Sequence, residues 1–85
     1  MVVISSRQYH KERPDVIVGL LTTNTVAATA TSDYILQDWS AARLHKPSAF
    51  RCYLGMESQS DLQTIGHLSD RDWQGVMLAV RNAIG

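Results

Sequence analysis

The sequence predicts a β-rich α+β domain in which short strands are followed by one C-terminal α-helix. Residues 2–4 and 16–21 are rich in β-branched side chains, which favour strands. Residues 48–54 alternate in polarity, as a half-buried strand does. After Ser69 the apolar residues recur at helical spacing instead. Because the strands come first and the helix last, the order indicates an α+β fold and not alternating β-α-β units.

The amino-terminal half divides into four predicted segments. Residues 2–4 (VVI) predict a strand, and the polar residues 5–15, which include Pro14, predict a loop. The unbroken apolar run of residues 16–21 is typical of a strand buried on both faces. Residues 22–32 are rich in Thr and Ala and predict a second loop. Hydroxyl groups are therefore expected at the carboxyl end of a buried strand.

The middle of the chain predicts two further strands and a turn. Residues 33–36 form a short strand, and residues 39–44 one helical turn that ends before Pro47. In the strand over residues 48–54, one face is expected to carry Phe50, Cys52 and Leu54 and the other to carry Arg51 and Tyr53. A polar connection is expected over residues 55–63.

The closing helix has the clearest local signals. Ser69 is a suitable N-cap, and Asp70 and Asp72 are favourable in the first turn. Gly75 weakens a helix, so we expect it to allow a close approach to the sheet. The predicted core stripe consists of Trp73, Val76, Met77, Val80 and Ile84.

Composition narrows the class of protein. The chain has 85 residues, so we expect one domain over residues 1–85. A domain of this size has a small core, so a partner subunit would stabilise it. The formal net charge is zero, yet Arg43, Lys46 and Arg51 lie in a stretch without an acid, which indicates either a local anion-binding face or simple charge mixing. The lone Cys52 excludes an intrachain disulfide and fits a cytoplasmic location. No apolar run is long enough to span a bilayer, so no membrane association is expected.

The inventory of reactive side chains excludes several chemistries. His10, His45, His67 and Cys52 share no metal-ligand spacing, and the glycines form no phosphate-binding loop, so neither a metal nor another cofactor is expected. Cleavage of RNA needs only fixed cations and hydroxyl donors around a phosphate, because RNA supplies its own 2′-hydroxyl nucleophile.

Thr22 at a strand end, with Arg51 and Tyr53 on one strand face, could provide the groups that RNA cleavage needs. Tyr9, Tyr34 and Trp39 could stack on bases. The alternative is that the threonine forms an ordinary turn and that the aromatic residues pack in the core.

Four segments, in this order, resemble toxins of the MazF/PemK family. Residues 2–9 (VVISSRQY) are similar to a strand that ends in Ser and is followed by Tyr. Residues 16–24 (VIVGLLTTN) resemble the family's buried strand with its Thr-rich tip. Residues 33–51 contain an Asp-Trp, Ala-Leu, Lys-Pro-Ser and Arg order similar to a PemK-like subgroup. Residues 65–69 (IGHLS) then lead into a closing helix, as in that family.

The resemblance implies an SH3-like curved barrel sheet with a C-terminal α-helix, assembled as a homodimer. It implies a type II toxin that cuts single-stranded RNA at short sequence motifs, without a metal, through a 2′,3′-cyclic phosphate. A cognate antitoxin would lay a disordered tail across the RNA groove and fold on binding. Thr22 matches the family's active-site Thr. The expected RNA-binding residues are Thr23, Asn24, Ser48, Arg51 and Tyr53.

The sequence departs from the family pattern at its start. The family's catalytic Arg belongs to an Arg-Pro pair directly before the strand matched by residues 2–4, and that pair, the first strand and its following loop would lie before Met1. Arg7 follows the other end of that strand and cannot replace the missing Arg. Since an acid–base group contributes roughly 10²–10⁴-fold to rate, we expect the 85-residue chain alone to have little or no ribonuclease activity.

Two other functions remain open at this point. The chain could be a non-catalytic remnant that still binds an antitoxin. It could instead be a small β-barrel nucleic-acid-binding domain unrelated to toxins, which would bind with a clear salt dependence but would not cut. Coding sequence upstream of Met1 for a strand, a Gly-rich loop and Arg-Pro would favour the enzyme, whereas a stop codon would favour the remnant.

Overall fold

Six regular elements make up the computed structural model, which describes residues 1–85. They are β1 Val2–Val3, α1 Arg7–Glu12, β2 Asp15–Thr22, β3 Asp33–Ile35, β4 Ala49–Ser58 and α2 Asp70–Ile84. The strands form one curled antiparallel sheet in the order β1-β2-β4-β3, and α2 packs on one of its faces. The predicted α+β class with a C-terminal helix is confirmed, but helix α1 lies between the first two strands.

The sheet is built around the long pairing of β2 with β4. Thr22 pairs with Ala49 at one end and Asp15 with Ser58 at the other. Between the paired rungs Val18–Gly55 and Leu20–Arg51, β2 has one residue and β4 has three, so β4 bulges there. A bulge bends its strand and increases the local twist, which accounts for the curl of the sheet.

The core lies between the sheet and α2. It consists of Val2, Leu36, Phe50, Val76 and Ala79. The helix turns a line through Asp72, Val76 and Ala79 toward the sheet. The predicted stripe was therefore partly wrong. Val76 is fully buried and Met77 and Val80 pack beside the core, but Trp73 is 38% and Ile84 71% exposed. Hydrogen bonds that tether Asp72 to the end of β3 account for this rotation of the helix.

The predicted loop over residues 5–15 was wrong, because it contains helix α1. Ser6 caps the helix by accepting a 3.2 Å hydrogen bond from the backbone N–H of Tyr9. Gln8 donates to Glu12 one turn later at 2.8 Å, which supports the helix locally. The helix joins the sheet through Ser5, whose hydroxyl accepts from the backbone N–H of Ile17 at 3.0 Å.

The other predicted elements correspond closely to the structure. The predicted strands over residues 2–4, 16–21 and 33–36 are present with ends shifted by one residue, whereas β4 continues to Ser58 into the predicted polar connection. The predicted turn is closed by hydrogen bonds from Leu44 to Trp39 and from Arg43 to Ser40, with Arg43 left-handed at φ 66°. Neither helix combines the length and apolar character needed to cross a bilayer.

Candidate functional site

The sheet has one face covered by α2 and one face turned away from it. Residues paired across antiparallel strands point to the same side. Phe50 pairs with Tyr34 and Leu21 and lies in the core, so its chain neighbours on β4 point outward. We call the resulting surface the outward face. It is formed by Leu20, Thr22, Asp33, Ile35, Ala49, Arg51 and Tyr53, and Ala49, which pairs with both Thr22 and Ile35, is fully buried.

Thr22 and Arg51 are diagonal neighbours on the outward face. Thr22 pairs with Ala49, and Arg51 lies two residues further along the same strand, opposite Leu20. Diagonal neighbours on adjacent antiparallel strands are roughly 7–8 Å apart. A single anion held over the sheet can therefore contact the hydroxyl of one residue and the guanidinium of the other.

Arg51 is held between a carboxylate and an aromatic ring. Its Nε donates to Oδ1 of Asp33 at 3.4 Å, and its Cζ lies 5.0 Å from the centroid of the Tyr53 ring. The side chain of Arg51 keeps 27% of its surface exposed, against 4% for Asp33. A guanidinium carries five N–H donors, so a bond through Nε leaves the Nη donors available to a ligand.

Asp33 was not predicted as a site residue. Its Oδ2 accepts from the backbone N–H of Ala30 at 3.2 Å, and its own N–H donates to the Ala30 carbonyl at 3.0 Å. Hydrogen bonds within its own turn therefore fix the carboxylate independently of Arg51. The only sequence signal was an acid at the start of a short strand, because the register that pairs Asp33 with Arg51 is not visible from sequence.

The hydroxyl of Thr22 closes the turn that follows β2. Its Oγ1 accepts a 3.1 Å hydrogen bond from the backbone N–H of Asn24, which is the turn-forming role considered as the alternative. A hydroxyl that accepts one hydrogen bond can still donate its own proton. Thr22, which is half-buried, can therefore serve as a turn former and as a donor to an anion.

The remaining predicted RNA-binding residues lie in different environments. Thr23 and Asn24 are exposed in the turn beside Thr22, and Tyr53 is 62% exposed over Arg51. Ser48 is buried, and its hydroxyl donates to the Lys46 carbonyl at 3.0 Å. The structure thus brings Thr22, Arg51 and Tyr53 together, with Thr23 and Asn24 at the rim. The Ser48 hydroxyl faces the protein interior.

Two of the aromatic residues considered for base stacking belong to the core instead. Tyr34 and Trp39 pack against the hydrophobic cluster. Tyr9 lies on α1, where its ring centroid is 5.8 Å from Cζ of Arg13. Tyr53 is therefore the aromatic side chain that the outward face presents.

A buried carboxylate fixes the chain just after β3. Asp72 is fully buried, and it accepts from the Tyr34 hydroxyl at 2.8 Å and from the backbone N–H groups of Gln37 at 2.9 Å and Asp38 at 2.8 Å. Burial, followed by this hydrogen bond, raises the pKa of Tyr34 to about 12. The sequence had indicated only that Asp72 suits the start of a helix. Its tether fixes the beginning of the segment that carries the exposed cations Arg43 and Lys46.

Asp38 extends the same network to the surface. Arg71 donates to its Oδ1 at 2.6 Å, and the Ser69 hydroxyl donates to its Oδ2 at 2.6 Å. The Arg71 hydrogen bond, and then that of Ser69, hold the pKa of Asp38 below its usual value. The helix N-cap is therefore bonded both to its own helix and to the segment after β3.

The chemistry available on the outward face is charge stabilisation. Arg51 and Thr22 are donors, and Leu20, Ile35 and Tyr53 add an exposed apolar surface beside them. Cys52 lies on the opposite side of β4 against the core, where burial raises the pKa of its thiol. No three His, Cys, Asp or Glu side chains lie close enough together to hold a metal ion.

No protein-family model and no curated protein matches the sequence. On the outward face, a hydroxyl donor, a fixed cation and an exposed aromatic ring lie on two adjacent strands.

Proposed function

We propose that the outward face binds single-stranded RNA and that the chain is a MazF/PemK-type endoribonuclease toxin domain. The observation that carries the proposal is the diagonal placement of Thr22 and Arg51 on the sheet face opposite α2. If Thr22 and Arg51 lay on opposite sides of the molecule, they could not contact the same phosphate. The curled antiparallel sheet with its closing helix supports the finer proposal of an SH3-like barrel.

Each residue has a distinct contact in this proposal. The Nη groups of Arg51 bind a phosphate, and the Thr22 hydroxyl donates to the same group. A base stacks against the exposed Tyr53 ring, since stacking tolerates any base sequence. Thr23 and Asn24 contact the adjoining nucleotide from the rim.

The proposed reaction draws its nucleophile from the RNA. Attack of the 2′-hydroxyl on the adjacent phosphorus gives a crowded phosphorane, whose extra negative charge Arg51 and Thr22 stabilise by hydrogen bonds. Donors preorganised toward such a charge contribute roughly 10²–10³-fold each to rate. Loss of the 5′-oxygen then leaves a 2′,3′-cyclic phosphate, and no metal takes part. The 2′-hydroxyl loses its proton to water, and the departing 5′-oxygen takes a proton from water.

We extend the proposal to two partners and a compartment. A second copy of the chain would form a homodimer, and a cognate antitoxin would cover the outward face in the cytoplasm. The exposed Leu20, Ile35 and Tyr53 around Arg51 would accept an extended tail with apolar and acidic side chains. The antitoxin tail and the RNA would then compete for Arg51.

Binding to labelled RNA tests the proposed function. Fluorescence anisotropy with mixed-sequence RNA of about ten nucleotides would compare the wild type with Arg51→Ala and, as a matched control, Arg81→Ala near the end of α2. Loss of a charged contact should weaken binding about tenfold to a hundredfold in Arg51→Ala, with little change in Arg81→Ala. Equal loss in both variants, or no binding by the wild type, would overturn the proposal.

Cleavage and substrate choice separate the toxin from a general binder. The same RNA would be incubated with the chain and analysed on a gel, beside DNA of the same sequence. The resemblance implies little or no ribonuclease activity for residues 1–85 alone, so we expect few or no fragments ending in a 2′,3′-cyclic phosphate. Abundant fragments that Thr22→Ala reduces would instead show that the chain itself carries an active toxin-type site. Equal binding of RNA and DNA without cleavage would favour a non-catalytic nucleic-acid-binding domain.

A further inference from the structure

We propose that Asp33 is a positioning residue that orients Arg51 to receive a single phosphate group. The inference rests on the proposed function for its ligand, a phosphate of single-stranded RNA. It concerns a carboxylate that lies directly opposite Arg51 in the register of β3 and β4. Two structural features support it: the fixed position of Asp33 and the two-sided restraint on Arg51. The sign of the carboxylate charge provides the test.

The position of the Asp33 side chain is fixed by a contact that does not involve Arg51. Its two carboxylate oxygens have different partners, since Oδ2 accepts from Ala30 N–H and Oδ1 accepts from Arg51 Nε. Only 4% of its side-chain surface is exposed. The carboxylate therefore provides a rigid reference point at the start of β3.

The contacts of Arg51 restrain its guanidinium in two directions. The bond to Asp33 at 3.4 Å fixes the Nε edge, and the Tyr53 ring, 5.0 Å from Cζ, lies against the guanidinium. The Nη edge remains, where two parallel N–H groups match the spacing of two phosphate oxygens. Such an arrangement orders the side chain before the ligand arrives, which lowers the entropy cost of binding.

Because Asp33 is negatively charged, the direction in which its removal changes RNA affinity tests the proposal. A carboxylate beside an anion-binding cation weakens the attraction for phosphate at long range. If Asp33 acted only through its charge, its removal would tighten RNA binding. If it positions Arg51, its removal weakens binding despite the gain in net positive charge.

The experiment uses the full chain and four variants. They are Asp33→Asn, Arg51→Ala, the double variant, and Glu57→Gln, which removes one negative charge from the far end of β4. Ala30 N–H and Arg51 Nε–H donate to different oxygens of the Asp33 carboxylate, and an amide replaces one of these oxygens with an NH₂ group, so one of the two donors loses its acceptor. RNA anisotropy is measured for each, and NMR follows hydrogen exchange at Arg51 Nε–H. Thermal melting confirms that every variant is folded under these conditions.

The expected result is a loss of RNA affinity of about three- to tenfold in Asp33→Asn, with no loss in Glu57→Gln. The double variant should bind no more weakly than Arg51→Ala, because Asp33 acts through that side chain. Exchange at Arg51 Nε–H should be faster in Asp33→Asn and unchanged in Glu57→Gln. A purely structural role for Asp33 would weaken binding further in the Arg51→Ala background.

Contrary results separate this inference from the proposed function. Unchanged or tighter RNA binding in Asp33→Asn, together with weak binding in Arg51→Ala, would overturn the positioning role and leave the RNA site intact. If the wild type binds no RNA, the proposed function fails. The Nε–H exchange rates would then still decide whether Asp33 orders Arg51: equal rates in the wild type and Asp33→Asn would overturn that claim too. If Asp33→Asn does not fold, Arg51→Lys, which keeps the charge but loses Nε and the planar fork, should bind RNA more weakly than the wild type. Wild-type affinity in Arg51→Lys would overturn the proposal.

Discussion

The Tyr34 hydroxyl donates a 2.8 Å hydrogen bond to Oδ1 of the fully buried Asp72, and this bond joins β3 to the first turn of α2. Both residues lie on the core side of the sheet, so the helix is fixed on the face opposite Arg51. The carboxylate is stabilised in the interior by this hydroxyl and by two backbone N–H groups. A buried charge with these partners positions the helix more specifically than apolar contacts alone would.

Tyr34→Phe should destabilise the fold by about 1–3 kcal/mol, because it removes one donor from a buried carboxylate and leaves the ring in place. Urea unfolding gives the free energy. Tyr9→Phe is the control, since that ring lies on α1 away from the buried network, and it should change stability by less than about 0.5 kcal/mol. Equal effects of the two substitutions would show that the Asp72 bond contributes nothing.

Tyr34 should ionise late when the protein is titrated with alkali. Its pKa is raised from 10.0 to about 12, mainly by burial and then by Asp72. The folded state holds the phenolic proton more tightly than the unfolded state, so this contribution to stability is complete below about pH 10 and is lost as the pH rises through about 12. Ultraviolet absorbance of phenolate should show a late component that Tyr34→Phe removes. A titration that the substitution leaves unchanged would refute this.

Protonation of Asp38 in acid should lower the free energy of unfolding. Hydrogen bonds from Arg71 and Ser69 hold its folded-state pKa below the usual value, so the native state binds fewer protons. The contribution is present above the unfolded-state pKa of about 3.9 and is lost as the pH falls through the lower folded-state pKa. Urea unfolding from neutral pH into this range should show a smaller loss for Arg71→Ala than for the wild type. The same loss in both proteins would contradict the proposed pairing.

Gly75→Ala should destabilise the protein although alanine is the better helix former. A Cβ at this position would overlap the Tyr34 ring, which cannot move away without breaking its bond to Asp72. Overpacking should outweigh the helix gain of about 1 kcal/mol and leave a net loss of about 1–2 kcal/mol. In Gly55→Ala the added methyl meets only Val18 Cγ2 at 4.0 Å, so this control should be neutral or stabilising. Calorimetric melting compares the two variants.

The elements that the sequence predicted are those with strong local signals. The β-branched run of β2 and the Ser69 N-cap of α2 need no distant partner to be recognised. For helix α1 the local signals conflict, because the charged residues around Pro14 indicate a loop whereas Ser6 caps a six-residue helix. The buried side of α2 differs from the predicted stripe because hydrogen bonds from residues more than thirty positions away hold Asp72 in the interior.

The candidate site was predictable only in part, for the same reason. Alternation along β4 placed Arg51 and Tyr53 on one face, and their cation–π contact agrees with that. The pairing of Asp33 with Arg51 depends on the register of two strands separated by a long connection, which no local pattern encodes. The burial of Ser48 likewise depends on how the segment before β4 folds back on itself.

Chemical-shift mapping with single-stranded RNA tests the central claim most directly. Amide and methyl resonances of the full chain would be followed as RNA is added. Perturbations should concentrate at Leu20, Thr22 and Ile35, with Arg51 Nε–H among the most affected, and should spare the exposed Trp73 and Leu78 on α2. Perturbations centred on α2, or none on the outward face, would contradict the assignment of that face as the RNA-binding surface.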